Sequence, residues 1–262
     1  METKEQLQQE LRGVENWERE QEDLWFWERW GKLPFQLLDK LTPKFLHDKI
    51  NAVLDELSQY IHSGSKYVVS KQAALKRFEA RTLGEVGALP LRRMDKAADS
   101  VIASRKTIAT AQGATTGFGG LLTLGIDIPA LLGMSLHVLQ EMALCYGYDP
   151  EEEQERLFIV KCLQFSSSDI VGKQTILREL QQFDSRTGQQ NGISQVAAWR
   201  EVITVYRDNY GWKKLFQLVP VAGMVFGAYL NRKTIEEIAE AGKMLYRKRR
   251  VLERLQAASL EQ

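Results

Sequence analysis

The chain has 262 residues, of which 35 are Lys or Arg and 34 are Asp or Glu, for a formal net charge of +1. That length supports a sizeable core in one large or two ordinary domains. The balance argues against a dedicated nucleic-acid binder, which carries a clear basic excess. Two cysteines, Cys145 and Cys162, sit among apolar residues with no spacing for a metal or a disulfide framework, so a reducing interior is expected.

The opening residues "METKEQLQQELRGVENW" are charged throughout and lack the apolar core of a signal peptide. Residues 4–30 read as one amphipathic helix, with Leu7, Leu11, Val14, Trp17, Leu24 and Trp27 on one side. Trp25, Phe26, Trp27 and Trp30 exceed one helix face. Either a second helix covers them or the indoles sit at a membrane interface. Thr42 and Pro43 predict the start of a second helix that ends at "HSGS" (62–65). A third stretch, 66–83, is expected to end near Gly84 and Gly87, and Pro90 to open the next.

Thr107 to Ile126 carries no charge; a lone Asp127 follows, then apolar residues as far as Gln140. Gly113 and Gly117 have the spacing that lets helices approach closely, with Gly120 a turn further on. Pro129 suits a first helical turn, so the expectation is an αα-hairpin bending at Asp127, whose carboxylate caps the second arm. Asp149 and Pro150 predict another such start, with Glu151, Glu152 and Glu153 in the first turn. A second glycine-spaced apolar run, 215–231, precedes a C-terminal helix opened by Thr234 and Glu237 in a capping box. Ile235, Ile238, Leu245, Leu252 and Leu255 form its stripe, and Tyr246 to Arg250 ("YRKRR") make its outer side basic.

None of the apolar runs reads as an ordinary membrane span. The first is diluted by Thr, Gly and Gln, the second carries His137, Gln140 and Glu141, and the third is short. Peripheral association is the expectation instead, with Trp25, Trp27, Trp30, Arg247, Lys248, Arg249 and Arg250 as the contacts with an anionic surface. The chain has no HExxH, CxxC, GxSxG or Walker A motif, and neither a metal nor a cofactor is implied. His137 and Glu141, four apart on one helix face, form with Asp127 a candidate polar pocket. An acid–base pair there would suit a small-molecule binder or a hydrolase. Pairing of the stripe with Lys or Arg of a neighbouring helix is the plainer alternative.

Three ordered segments are similar to the EcsC family of bacterial proteins. "GATTGFGGLLTLGIDIPALLGMSLHVLQEMALCYGYDPEEEQERLFIVKCL" resembles its signature through Asp127, Pro129, Ala130, Leu131, Leu132, Glu141, Tyr146, Gly147 and Asp149. "LVPVAGMVFGAYLNRK" resembles a second element through Pro220, Gly223, Gly227 and Asn231, and "LPFQLLDKLTPKFLHDKINAVLDEL" a third. The resemblance implies a non-enzymatic helical protein at or near a membrane, accessory to a transporter or to secretion, and supplies no catalytic residues.

The resulting expectation is an all-α protein on the cytoplasmic side, peripheral to the inner face of the cell membrane. Its partner would be an anionic membrane surface or a membrane protein complex. It comprises a Trp-rich amphipathic helix (1–32), an EcsC-like helical domain (33–250) built around a Gly-rich hairpin, and the tail of the last helix (251–262). The hydrolase reading and a toxin-like protein with an insertable hairpin are the alternatives.

Overall fold

A computed structural model describes residues 2–23, 57, 59–64, 69–116, 121–167, 170–183 and 224–260, with backbone alone for 22–23, 111–116, 121–131, 167, 170–171, 181–183 and 224–231. All the elements among them are helices: α1 (Lys4–Asp23), α2 (Lys71–Phe78), α3 (Leu83–Ala88), α4 (Leu91–Thr116), α5 (Leu121–Cys145), α6 (Glu153–Ser167), α7 (Ile170–Phe183) and α8 (Met224–Leu260). Helical residues 59–63 precede α2 and end at Gly64, whose positive φ of 65° is the break expected at "HSGS".

Three helices form the centre. On α4 and α8, Lys106 pairs with Glu236 (2.5 Å), Asp99 with Lys243 (2.5 Å) and Asp95 with Arg247 (3.2 Å). Numbers fall on α4 as they rise on α8, so the two are antiparallel. Asp95 with Tyr146 and Arg105 with Glu141 set α5 antiparallel to α4 in the same way. Hence α5 and α8 run parallel. A Cβ on Gly242 would lie 2.6 Å from Leu139 Cδ2, so the two helices approach closely there. The end of α4 and the starts of α5 and α8 therefore share one pole of the bundle.

The core sits between these helices and α6. Leu136, Val138, Leu139, Met142 and Ala143 of α5 pack with Phe158, Ile159 and Cys162 of α6 and with Ile238, Leu245 and Tyr246 of α8. α1 lays Leu7, Val14 and Trp17 onto the outside, where the Trp17 ring lies 5.7 Å from Phe165. Three arginines close helix ends that would otherwise leave carbonyls unpaired. Arg156 donates to Ile61 O (2.7 Å) and His62 O (3.3 Å), Arg250 to Tyr146 O (2.6 Å), and Arg254 to Gly87 O (2.9 Å) and Leu89 O.

Several expected boundaries move. In place of one helix over 66–83, the described residues from 69 on form α2 and then, after a break, α3. Ser70 caps α2, Glu79 ends it in the left-handed region (φ 56°), and Thr82 caps α3 by accepting from Glu85 N (3.2 Å). Glu85 in turn accepts from Arg81 N (2.8 Å), so the helix start was written in "TLGE". α5 begins at Leu121, which places Asp127 and Pro129 inside the helix and not at its start. The apolar run from Leu121 sustains the helix, and Pro129 forgoes one ladder bond there. Residues 117–120, between α4 and α5, lie outside the described residues, Gly117 and Gly120 with them, as do Pro220 and Gly223. Gly113 lies in α4, and Gly227 and Asn231 in α8, with their packing outside the described residues. α6 begins at Glu153, because Asp149 is spent on a turn and accepts from Glu151 N (3.1 Å). α8 runs unbroken from Met224 to Leu260, so Thr234 and Glu237 lie mid-helix, with Glu237 paired to Lys233 (3.6 Å). The tail 251–260 continues that helix.

Candidate functional site

The polar stripe foreseen on α5 does not converge. A helix rises 1.5 Å per residue, so Asp127 lies roughly 15 Å along the axis from His137 and about 21 Å from Glu141. Glu141 is taken by Arg105, whose Nε donates to Oε2 at 2.6 Å. His137 is half-buried; desolvation, then the charge of Arg105, hold its imidazole below the usual range in spite of Glu141. The plainer alternative, pairing with a neighbouring helix, is what Glu141 does.

The basic stretch also differs from its expected role. Arg247 pairs with Asp95 and Glu10, Lys248 with Glu18 (2.7 Å), Arg249 with Glu155 (2.8 Å) and Arg250 with Glu253 (2.7 Å). Their side chains are only 13–17% exposed, so these cations face inward and the outer side of α8 is not a free basic stripe here. The period explains it: Leu245, Tyr246 and Val251 are buried beside them, and the cations flank that stripe. Trp25, Trp27 and Trp30 lie outside the described residues.

The structure has a different polar centre, at the end of the bundle away from the shared pole. Glu155 is 4% exposed and both its oxygens are used: Oε1 accepts from Tyr246 Oη (2.5 Å) and Oε2 from Arg249 (2.8 Å). Burial pushes its carboxyl above the usual range, against the opposing pull of Arg249 and of the Tyr246 hydroxyl. Burial likewise raises the Tyr246 phenol well above its ordinary value, with Glu155 adding to it, so Tyr246 serves as a donor. Tyr146 donates to Asp95 (2.7 Å), which also takes Arg247. The Tyr148 ring lies under two guanidiniums, Arg249 and Arg250, each 4.2 Å from its centroid. Phe158 and Tyr246 complete the stack at 4.8 Å.

Gly147 turns the chain into this centre with φ 80°, and a Cβ there would lie 2.5 Å from Gly87 N. Beside it opens a cleft of about 550 Å³ whose charged rim is Lys71, Arg81, Asp149, Glu152, Glu155 and Arg249. Lys71 spans the rim to Asp149. Sequence reasoning passed over Glu155, yet the signal existed: it precedes Phe158, Ile159 and Cys162 by three, four and seven residues. An acid in the register of an apolar stripe requires a partner.

Among the described residues no group of three or more His, Cys, Asp or Glu could hold a metal ion. Both thiols are buried; Cys145 is pushed up to about 12 by desolvation and Cys162 well above its ordinary value. Nor, among the described residues, is any helix long and apolar enough to cross a membrane.

The class defined by this geometry is an all-helical domain whose ionic centre locks three helices together. Comparison with known proteins specifies it further. The EcsC protein family model matches residues 8–251, and the chain belongs to that family. It is 50% identical to "Uncharacterized protein YdbA" of Bacillus subtilis (strain 168) over 267 residues, covering 99% of this chain and 98% of that protein. It is 24% identical to "Protein EcsC" of the same organism over 219 residues, covering 84% and 85%. No solved structure matches.

Proposed function

We propose that this protein is a non-enzymatic helical accessory protein that binds the cytoplasmic face of a membrane, or a membrane transport complex there, peripherally. The observation that carries the reading is the uncharged pole. The end of α4 and the starts of α5 and α8 meet there, and their sequences from Thr107 to Thr116, Leu121 to Ile126 and Met224 to Asn231 contain no charged residue. The charges that border these stretches are Lys106 on α4, Asp127 on α5 and Arg232 and Lys233 on α8. The pairs of Arg249 with Glu155 and of Arg247 with Asp95 lie at the opposite end, which leaves this pole suited to an apolar or interfacial environment.

Flotation with phosphatidylcholine vesicles containing one-quarter phosphatidylglycerol tests it. Co-flotation at low ionic strength is expected. Protein left wholly in the dense fraction, in both low and physiological salt, would end the reading. The hydrolase alternative loses its support with the dispersal of Asp127, His137 and Glu141, and no described feature favours a lytic hairpin.

A further inference from the structure

α1 is held to the rest of the molecule by a short apolar seam with ion pairs along its length. Glu2 pairs with Arg254, Glu10 with Arg247 and Glu18 with Lys248, while Gln21 accepts from Lys173 (3.1 Å). Four polar side chains spread from one end of the helix to the other thus each cover one cation of α7 or α8. The two pairs at Glu2 and Glu18 are well shielded, with carboxylates 15% and 11% exposed. For Glu2, burial opposes ionisation, but the Leu91 N–H (2.6 Å), the Glu2 N–H and Arg254 outweigh it and hold the carboxyl below its usual range. The apolar seam is short: among the described side chains of α1, Leu7, Val14 and Trp17 are buried, with Leu11 partly so. Trp17 lies on Phe165, which Lys173 also covers, and beside Glu18 and Lys248 a small recess is lined by Leu177, Leu180, Leu245 and Leu252.

The surface under α1 is therefore apolar in the middle and basic at the rim. That is the composition of a face that beds into an anionic bilayer interface. The carboxylates of α1 stand where lipid phosphates would stand. From this geometry we infer that α1 is a detachable acidic cover, and that its release exposes a second, basic membrane-binding face on α7 and α8. The inference rests on the proposal that the protein meets anionic lipid, and adds a surface and a means of control. At an anionic bilayer, lipid phosphates replace the α1 carboxylates and the interface takes up the apolar seam, so the cover opens there and stays shut away from it. Arg247 retains Asp95 when α1 leaves; Lys248 and Arg254 lose the carboxylates that neutralise them.

Two measurements test the cover. The first is a triple variant, E2Q/E10Q/E18Q, checked for native circular dichroism. On vesicles with one-quarter phosphatidylglycerol it should partition at least about tenfold more strongly than the wild type, given that Lys248 and Arg254 are unmasked. On pure phosphatidylcholine there should be no gain, and adding K248Q and R254Q should abolish it. The second uses the unaltered protein. On anionic vesicles the amides of residues 4–23 should lose hydrogen-exchange protection while those of α5 and α6 keep it. A natively folded triple variant that binds no better, or that gains affinity for duplex DNA and not for vesicles, overturns the cover. Wild-type protein that floats with α1 still protected overturns the cover alone and spares the proposed function. If neither wild type nor variant floats, both fall.

Discussion

The two ends of the central three-helix unit are built on opposite rules. At one end, α4, α5 and α8 meet through stretches without charge, 107–116, 121–126 and 224–231. At the other, Glu155, Arg249, Tyr246, Asp95 and Arg247 are joined by hydrogen bonds, and guanidiniums lie on aromatic faces. The ionic end needs each partner in place, since a buried charge without one is costly. The uncharged end has no such requirement and tolerates a changed neighbour. A protein that must hold its fold while one end meets a different medium benefits from this division.

The largest test of the contrast is Glu155→Ala. It leaves Arg249 with only the longer pair to Glu253 (3.6 Å) and Tyr246 Oη without its acceptor, so a loss of about 3–5 kcal/mol is expected in urea unfolding. A loss below about 1 kcal/mol would mean that the ionic end is not the rigid one. Next comes Gly147→Ala. The left-handed backbone costs about 1–2 kcal/mol and the added methyl meets Gly87 backbone, which cannot swing aside, for a total of about 2–4 kcal/mol.

A smaller effect separates His137 from the ionic centre. Its imidazole titrates below the usual value of 6.5 because burial and Arg105 disfavour the cation. The unfolded chain therefore takes up the proton first as the pH falls. The stability that His137 contributes is full above that value and is lost as the pH drops through the lowered one. Thermal melts from pH 7.5 to 5.5 should show a steeper decline for the wild type than for His137→Asn; parallel curves would refute it. Smallest is Lys106→Ala, which removes the pair with Glu236 nearest the uncharged pole. Both side chains are partly exposed, at 22% and 33%, so the change should stay below about 1 kcal/mol and shrink in high salt.

Much of the helical class was legible, because apolar periodicity at Leu7, Val14 and Trp17, or at Ile235, Ile238 and Leu245, depends on local spacing alone. Helix ends were less so. Asp127–Pro129, Asp149–Pro150 and Thr234–Glu237 all carry start signals, and in all three the helix starts elsewhere. A capping residue contributes about 1 kcal/mol, which tertiary packing readily outweighs. The site was the least legible. The cations of "YRKRR" read as a solvated face because a sequence does not show that Glu10, Glu18 and Glu155, from distant segments, come to meet them. His137 and Glu141 were correctly placed on one face, but their meaning depended on Arg105, 36 positions before Glu141.

The contact of Gly147 with Gly87 joins two chain reversals at a single point. The link from α5 to α6 and the end of α3 cross there without side chains between them, and Arg250 and Arg254 fasten one reversal each. One turn of α8 thus works as a common rivet for both crossings. Sideways travel of that turn would loosen both hinges together, so the last third of α8 is the natural place from which a disturbance at the protein's flank reaches the cleft.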